Sequence, residues 1–207
     1  MIYPRNPRKS AAENKSIGII VLAAGASGRM NEPKQLLQFQ GKTLLRRAVE
    51  NALESNYEPV IVVLGANFQR AAAEIDDVPI EIVFNENWQD GLSSSIKAGV
   101  EHLLKIAPGV QAALITLADQ PFVTANHLNL FAEKHHRSKS AIVAAEYNQT
   151  RGVPALFSRE VFDDLRNLSG DKGAKSVIEK YPDSLSTIDL PEAAFDIDTP
   201  QDFQRLE

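Results

Sequence analysis

The chain contains no cysteine. Disulfides, thiolate metal sites and cysteine nucleophiles are therefore excluded, and the absence fits a reducing, cytoplasmic setting. No run of about 18 apolar residues occurs, so a membrane-spanning helix is not expected. Positive charge is also scarce: 22 Lys and Arg stand against 27 Asp and Glu, a formal net charge of -5. A sequence-independent nucleic-acid surface needs clustered cations, so none is expected. Three catalytic signatures are missing as well. There is no GxxxxGK[ST] of a Walker loop, no GxGxxG of a dinucleotide fold and no GxSxG nucleophile elbow. The histidines, His102, His127, His135 and His136, lack metal-ligand spacing and read as surface residues of helices.

What is present points to an α/β fold. Ile17 to Leu22, Pro59 to Leu64, Ile80 to Phe84, Ala112 to Leu117 and Ala141 to Ala145 read as short buried strands. Between them, helices are predicted over Thr43 to Ser55, Asn67 to Ile75, Ser93 to Ile106 and Thr124 to Arg137. The first has apolar residues at Leu44, Leu45, Ala48, Val49, Ala52 and Leu53, which is helical spacing, with Thr43 as its cap. Strands alternating with helices predict a Rossmann-like, three-layer architecture: a mostly parallel sheet with helices on both faces. Residues 1–16 are polar, basic and lack the apolar core of a secretory signal, and are read as a loose tail. Residues 17–207 are expected to form one domain. Beyond Tyr147 the rhythm changes, with a short Gly152 to Phe157 segment, an amphipathic stretch from Arg159 to Leu168 and a Gly170 to Gly173 loop. This part is expected to fold as a subdomain over one edge of the site.

Ligands of open α/β sheets bind beyond the carboxyl ends of the strands. Three predicted loops leave such ends, after Leu22, Phe84 and Leu117, so their motifs should converge. The first, Ala23-Ala24-Gly25-Ala26-Ser27-Gly28-Arg29-Met30, is rich in small residues. Such a loop lets backbone N–H groups approach an anion, and Arg29 and Lys34 add the charge a triphosphate needs. An ordinary glycine-rich turn with two solvated cations is the competing reading. Asp119 follows the Ala112 to Leu117 strand and precedes Gln120-Pro121. A carboxylate in that position suits Mg²⁺, a hard cation that prefers oxygen. The alternative for Asp119 is a turn residue before proline, and for Asp198 the cap of the last helix. Alternation along a strand would point Asp196 away from Asp198. In Asn87 to Ile96, Gly91 allows close approach and the serines can cap a helix or bond a base. Trp88 reads as packing more readily than as a stacking platform.

Six segments in order carry a family resemblance: LAAGASGRMNEPKQLLQFQGKTLLRRAV, NENWQDGLSSSIKAGV, LADQPFV, GVPALFSREVF, LSGDKGAKSVI and DIDTPQDF. Together they resemble the molybdenum cofactor cytidylyltransferases, the MocA type among the MobA-like NTP transferases. The resemblance implies a nucleotide-diphospho-sugar transferase-like fold and a Mg²⁺-dependent transfer of CMP from CTP to the phosphate of molybdopterin, with pyrophosphate released. It implies that Leu22, Ala23, Ala24 and Gly25 contact the nucleotide, that Arg29 and Lys34 hold the triphosphate, and that Gly91 and Ser95 lie by the base. It assigns Asp119 and Asp198 to the metal and makes Arg29, Lys34 and Asp119 the catalytic set. LAAG in place of LAGG leans toward CTP over GTP. Lys172 and Lys175 fall on the acceptor side. A molybdenum hydroxylase or its chaperone is the implied protein partner. The chain departs from the family at Asn31, where glycine is common, and at Val153, where histidine is common. Two rival readings stand beside this one. One is nucleotidyl transfer to a sugar or polyol phosphate. The other is a nucleotide- or cofactor-binding partner without turnover.

Overall fold

The computed structural model describes residues 16–28, 30 and 32–206. The predicted tail up to Lys15, the candidate cation Arg29 and the divergent Asn31 lie outside the described residues.

Strand β1 (Ile17–Ala23) is buried at every position. An apolar run of this kind is stable only with both faces covered and both edges paired. Both conditions are met: β1 pairs in parallel with β4 (Val60–Leu64) on one side and β6 (Ala112–Leu117) on the other. The full sheet has seven strands in the order β5-β4-β1-β6-β8-β7-β9. Its other members are β5 (Glu81–Phe84), β7 (Ile142–Tyr147), β8 (Thr150–Ser158) and β9 (Leu185–Asp189). A two-stranded ribbon, β2 (Gln38–Phe39) and β3 (Lys42–Thr43), stands apart from it.

Alternation in the strands sorts the core into two layers. Ile19, Val21, Val62 and Leu64 face α1 (Leu44–Glu54), α2 (Phe68–Ala73) and α4 (Ala125–Ser138). Ile20, Leu22, Ile61 and Val63 face α3 (Leu92–Ile106), α5 (Phe162–Arg166) and α6 (Lys175–Ile178). The predicted three-layer α/β arrangement is thus the observed one. Thr43 caps α1 as read from the sequence, its side chain accepting the Arg46 N–H at 3.1 Å. Among the described residues no helix is long and apolar enough to cross a membrane.

The region after Tyr147 differs from expectation. It is no separate subdomain, because β8 is inserted between β6 and β7 and antiparallel to both, and β9 extends the same sheet beside β7. The segment read as short is nine residues long. Proline lacks the N–H a ladder needs, and Pro154 sits where the β7–β8 register slips: Ala144 pairs Ala155, but Ala145 pairs Gly152. Val153 and Pro154 are the slipped residues, and the irregularity frees the Val153 carbonyl from the ladder.

From β1 the chain winds outward through β4 and β5, then returns to place β6 on the opposite side of β1. The strand order reverses between β1 and β6, so a crevice opens beyond their carboxyl ends. Leu22 and Leu117 are register partners there, and Ala118 N–H donates to the Leu22 carbonyl at 3.1 Å.

Candidate active site

The crevice is a cavity of about 430 Å³. Its floor is the Leu22 to Ala26 turn, and Lys34, Trp88, Gly91, Ser95, Asp119 and Asp171 stand around it. The three loops whose convergence was expected from their places after β1, β5 and β6 do meet here. Leu22, Ala23, Ala24, Gly25, Lys34, Gly91, Ser95 and Asp119 all line the one cavity.

The turn after β1 is braced from within. The Ser27 hydroxyl accepts the Lys34 N–H at 2.8 Å and donates to Gln35 Oε1 at 3.2 Å. Gln35 Nε2 in turn donates to the Gly25 carbonyl at 3.3 Å. Gln35, a buried polar residue on the 3-10 turn Lys34–Leu36, therefore ties both ends of the loop together. A Cβ placed on Gly25 would meet no atom of the described residues within 4 Å. The room beside this glycine belongs to the cavity rather than to packing.

Lys34 reaches two carboxylates at once. Its ammonium is ion-paired with Asp119 and donates to Asp198 Oδ1 at 2.9 Å. Burial alone would lower its pKa, but the two aspartates outweigh that and hold it above the ordinary lysine value. The second oxygen of Asp119, Oδ1, is buried and has no hydrogen-bond partner among the described residues. Such an atom is costly unless something cationic or donating completes it.

Asp198 arrives from the far end of the chain. The Ile197 N–H donates to the Asp119 carbonyl at 3.2 Å, and Ile197 is wholly buried beside Phe39 and Leu44. Asp198 is not the cap of the closing helix, α7 (Pro200–Gln204). Thr199 holds that position in a capping box with Asp202. The competing reading of Asp198 as a cap is therefore removed.

Asp196 was expected to point away from this pair, and it does not. Residues 195–199 form no strand, so strand alternation has no hold on them. Its outer surface meets solvent, yet its remaining sides are crowded by protein. That desolvation, then the Asp119 charge, pushes its pKa up to about 6. Gln120, also buried, donates from Nε2 to the carbonyls of Val153 (3.2 Å) and Ala193 (2.9 Å). The Tyr147 hydroxyl donates to the same Val153 carbonyl at 3.3 Å. Burial, then Asp196 and Asp119, raises the Tyr147 pKa.

Gly91 has φ 92°, a conformation natural only to glycine. The close approach it permits is to the protein itself: a Cβ there would lie 2.5 Å from Asp171 Oδ1 and 2.7 Å from the Gly170 carbonyl. The Ser93 hydroxyl fastens the same loop, donating to the Gly170 carbonyl at 2.6 Å. Of the loop read as acceptor-side, Asp171 lines the cavity whereas Lys172 and Lys175 do not. The Lys175 ammonium instead donates to Thr150 Oγ1 at 3.0 Å, in a second cleft with Arg151 and Glu179.

Sequence reasoning missed Gln35, Asn85 and Gln120. Each is an amide side chain buried in or beside a loop of small residues, and its partners lie elsewhere in the chain. No group of three or more His, Asp or Glu side chains among the described residues forms a ready-made metal cage. Mg²⁺ commonly takes only one or two carboxylates and completes its shell with water and substrate phosphates, so the pair Asp119 and Asp198 is a sufficient donor set.

The profile of the MobA-like NTP transferase domain matches residues 19–185. A protein of Paenarthrobacter nicotinovorans named nicotine blue oxidoreductase is 30% identical over 198 residues, covering 90% of this chain and 94% of its own. The molybdenum cofactor cytidylyltransferase of Escherichia coli (strain K12) is 25% identical over 190 residues, covering 91% and 94%. The crystal structure of Rv0371c from Mycobacterium tuberculosis H37Rv in complex with manganese superposes with a TM-score of 0.76. It is 27% identical and covers 92% of this chain and 97% of that one.

Proposed function

The chain belongs to the MobA-like NTP transferase family, and we propose that within it the protein transfers the CMP of CTP to the phosphate of molybdopterin, releasing pyrophosphate. The observation that carries this reading is the meeting of Lys34, Asp119 and Asp198 at the edge of the cavity floored by the Leu22 to Ala26 turn.

In this reading an oxygen of the acceptor phosphate attacks the α-phosphorus, and the bond from that phosphorus to the β-phosphate oxygen breaks. The acceptor brings its own nucleophile, which fits a site without a cysteine or an activated serine. The protein positions the reactants and stabilises the charge that builds on the leaving pyrophosphate. The Ala23 to Gly25 backbone holds the nucleotide against the β1 end. Lys34 carries the positive charge for the phosphates, joined by Arg29. A divalent cation, Mg²⁺, would be held by Asp119 and Asp198. The buried Asp119 Oδ1, without a partner among the described residues, fits that role, as does the cation already drawn between the two acids. When bound, the cation supplies Lewis-acid neutralisation of phosphate oxygens. Gly91 and Ser95 lie by the base. The cluster in which Gln120 and Tyr147 meet the Val153 carbonyl serves the acceptor, and a cytoplasmic protein handing its product to a molybdenum hydroxylase or its chaperone completes the reading.

The test is a screen of the four NTPs with Mg²⁺ against molybdopterin and several sugar or polyol phosphates, scored by pyrophosphate release. CTP with molybdopterin should be the productive pair. A preference for GTP would sink the cytidylyl assignment, and pyrophosphate release with sugar phosphates alone would move the acceptor. Binding without turnover for every pair would leave a nucleotide-binding partner. One observation favours a second reading: a relative matched along most of the chain bears the name of an oxidoreductase. The same screen therefore includes nicotine blue with a reduced nicotinamide nucleotide, and turnover only there would replace the transferase reading.

A further inference from the structure

Asn85 follows β5 directly and continues its ladder, with its N–H donating to the Leu64 carbonyl at 2.8 Å. Its side chain is buried beneath the first turn of α3. The orientation of its amide is fixed by its surroundings: Oδ1 accepts the Asn87 N–H at 3.1 Å, so Nδ2 is the end that faces the helix. Nδ2 donates twice, to Ser94 Oγ at 2.8 Å and to Ser95 Oγ at 3.0 Å.

The two serines are left in different states. Ser94 spends its own proton on the Gly91 carbonyl at 2.8 Å. Ser95 lines the cavity, and among the described residues its proton has no acceptor. A hydroxyl has one proton to give and two lone pairs to offer. With Asn85 donating to its oxygen, Ser95 is polarised to donate into the cavity.

We propose that Asn85 is a positioning residue that fixes the Ser95 hydroxyl as a hydrogen-bond donor and so reads a ring-nitrogen acceptor on the bound base. This rests on the reading of the cavity as a pyrimidine nucleotide site. The ring atom at which the two pyrimidines differ in polarity is N3, an unprotonated acceptor in cytosine and an N–H in uracil. A hydroxyl held as a donor rewards the first and leaves the second with two protons facing each other. A site built to bond one polarity discriminates strongly because the mismatched partner is buried unpaired.

Asn85→Asp keeps the shape and the Oδ1 that accepts from Asn87 but turns the serine-facing end into an acceptor. The Ser95 proton is then drawn toward residue 85, and the cavity is offered a lone pair. Equilibrium binding of CTP and UTP, each with Mg²⁺, is measured for the wild type, Asn85→Asp, Ser95→Ala and the double variant. Both single variants should lower the CTP-to-UTP affinity ratio by at least about tenfold, corresponding to about 1.4 kcal/mol. The double variant should fall no further than the larger single effect, because Asn85 acts through Ser95. Equal weakening of both nucleotides by Asn85→Asp would overturn the proposal, as would additive effects in the double variant. Asn85→Ala replaces Asn85→Asp in the same cycle if the buried carboxylate prevents folding. A wild type that prefers CTP with a ratio indifferent to residue 85 defeats this inference alone. A wild type that binds neither nucleotide defeats the nucleotide reading, and this one with it.

Discussion

The Lys34 ammonium lies 2.9 Å from Asp198 Oδ1, across 164 residues of sequence, and is ion-paired with Asp119 on its other side. One cation thus serves both acids proposed to hold a metal. A metal held there would compete with the lysine for the same two carboxylates, and the lysine can leave when phosphates arrive to receive it. Lys34→Met should therefore strengthen Mn²⁺ binding to the nucleotide-free protein by about tenfold or more, since a 1.4 kcal/mol difference is a factor of ten. Electron paramagnetic resonance of free Mn²⁺ reads this directly. Weaker Mn²⁺ binding in the variant would show that Lys34 supports the metal site instead of occupying it.

The same substitution, and Arg29→Ala, should each slow pyrophosphate release by more than about tenfold, because a desolvated charge-assisted contact in the transition state is worth more than ~1.4 kcal/mol. Near-normal rates in both would remove these cations from the triphosphate's binding set.

Asp198 and Thr199 are neighbours with separable duties. Asp198→Asn should cut turnover and shift its Mg²⁺ dependence while leaving the melting temperature near wild type, because the cap of α7 is Thr199. Thr199→Ala should do the reverse, costing about 1 kcal/mol of stability with little change in rate. Asp119→Asn should lose activity at least as severely as Asp198→Asn, since an amide oxygen is a weaker ligand for a hard cation. Unaltered Mg²⁺ dependence in both aspartate variants would remove the metal assignment.

Gly91→Ala meets two obstacles at once, a positive φ and contact with Asp171 and the Gly170 carbonyl. The backbone strain alone is worth about 1–3 kcal/mol. Thermal melting should show that loss. Nucleotide affinity should fall with it, as the 170–171 loop is pushed off the cavity wall. An unperturbed melt would mean that the loop moves aside freely.

A pH effect on stability is expected at His135. Its imidazole is half-buried, and that burial lowers its pKa below the ordinary 6.5, against the opposing contact of Nδ1 with the Ser140 carbonyl at 3.0 Å. The unfolded chain then takes up the proton first as pH falls. Stability from this group is complete above about 6.5 and is lost as pH drops through the folded value. Melting temperature against pH should fall less steeply over that window in His135→Gln than in the wild type; identical slopes would rule the contribution out.

Much of this site was legible because its signals are local. The small-residue turn, Lys34 and Asp119 each sit within a few residues of a strand that announces itself by burial. Asp198 was legible as the companion of Asp119 only through the family resemblance, since nothing local in the sequence announces the Ile197 to Asp119 bond or the Lys34 contact that hold it there. Asp196 was misread because alternation was assumed for a segment that forms no strand. Asn85 and Gln120 were silent: an amide declares its role through its partners, and those of Gln120 are 33 and 73 residues away. The antiparallel insertion of β8 was hidden for a similar reason. Periodicity tells which face a strand buries but not which way it runs, and the short Gly152 to Phe157 segment is the middle of a longer strand that continues across the bulge.

That reversed strand has a consequence for how such a protein can change over generations. Because β8 runs against β6 and β7, its opening residues, not its closing ones, stand at the carboxyl end of β6, where the buried Gln120 meets the Val153 carbonyl. The loops after β1, β5 and β6 line the crevice, whereas the hairpin entering β8 lines the second cleft, where Gln149, Thr150 and Arg151 stand beside Lys175. Insertions or substitutions at Asn148 and Gln149 can redraw that second cleft without altering the length or register of anything that lines the first. The scaffold is therefore free to reshape one cleft over generations while inheritance keeps the other.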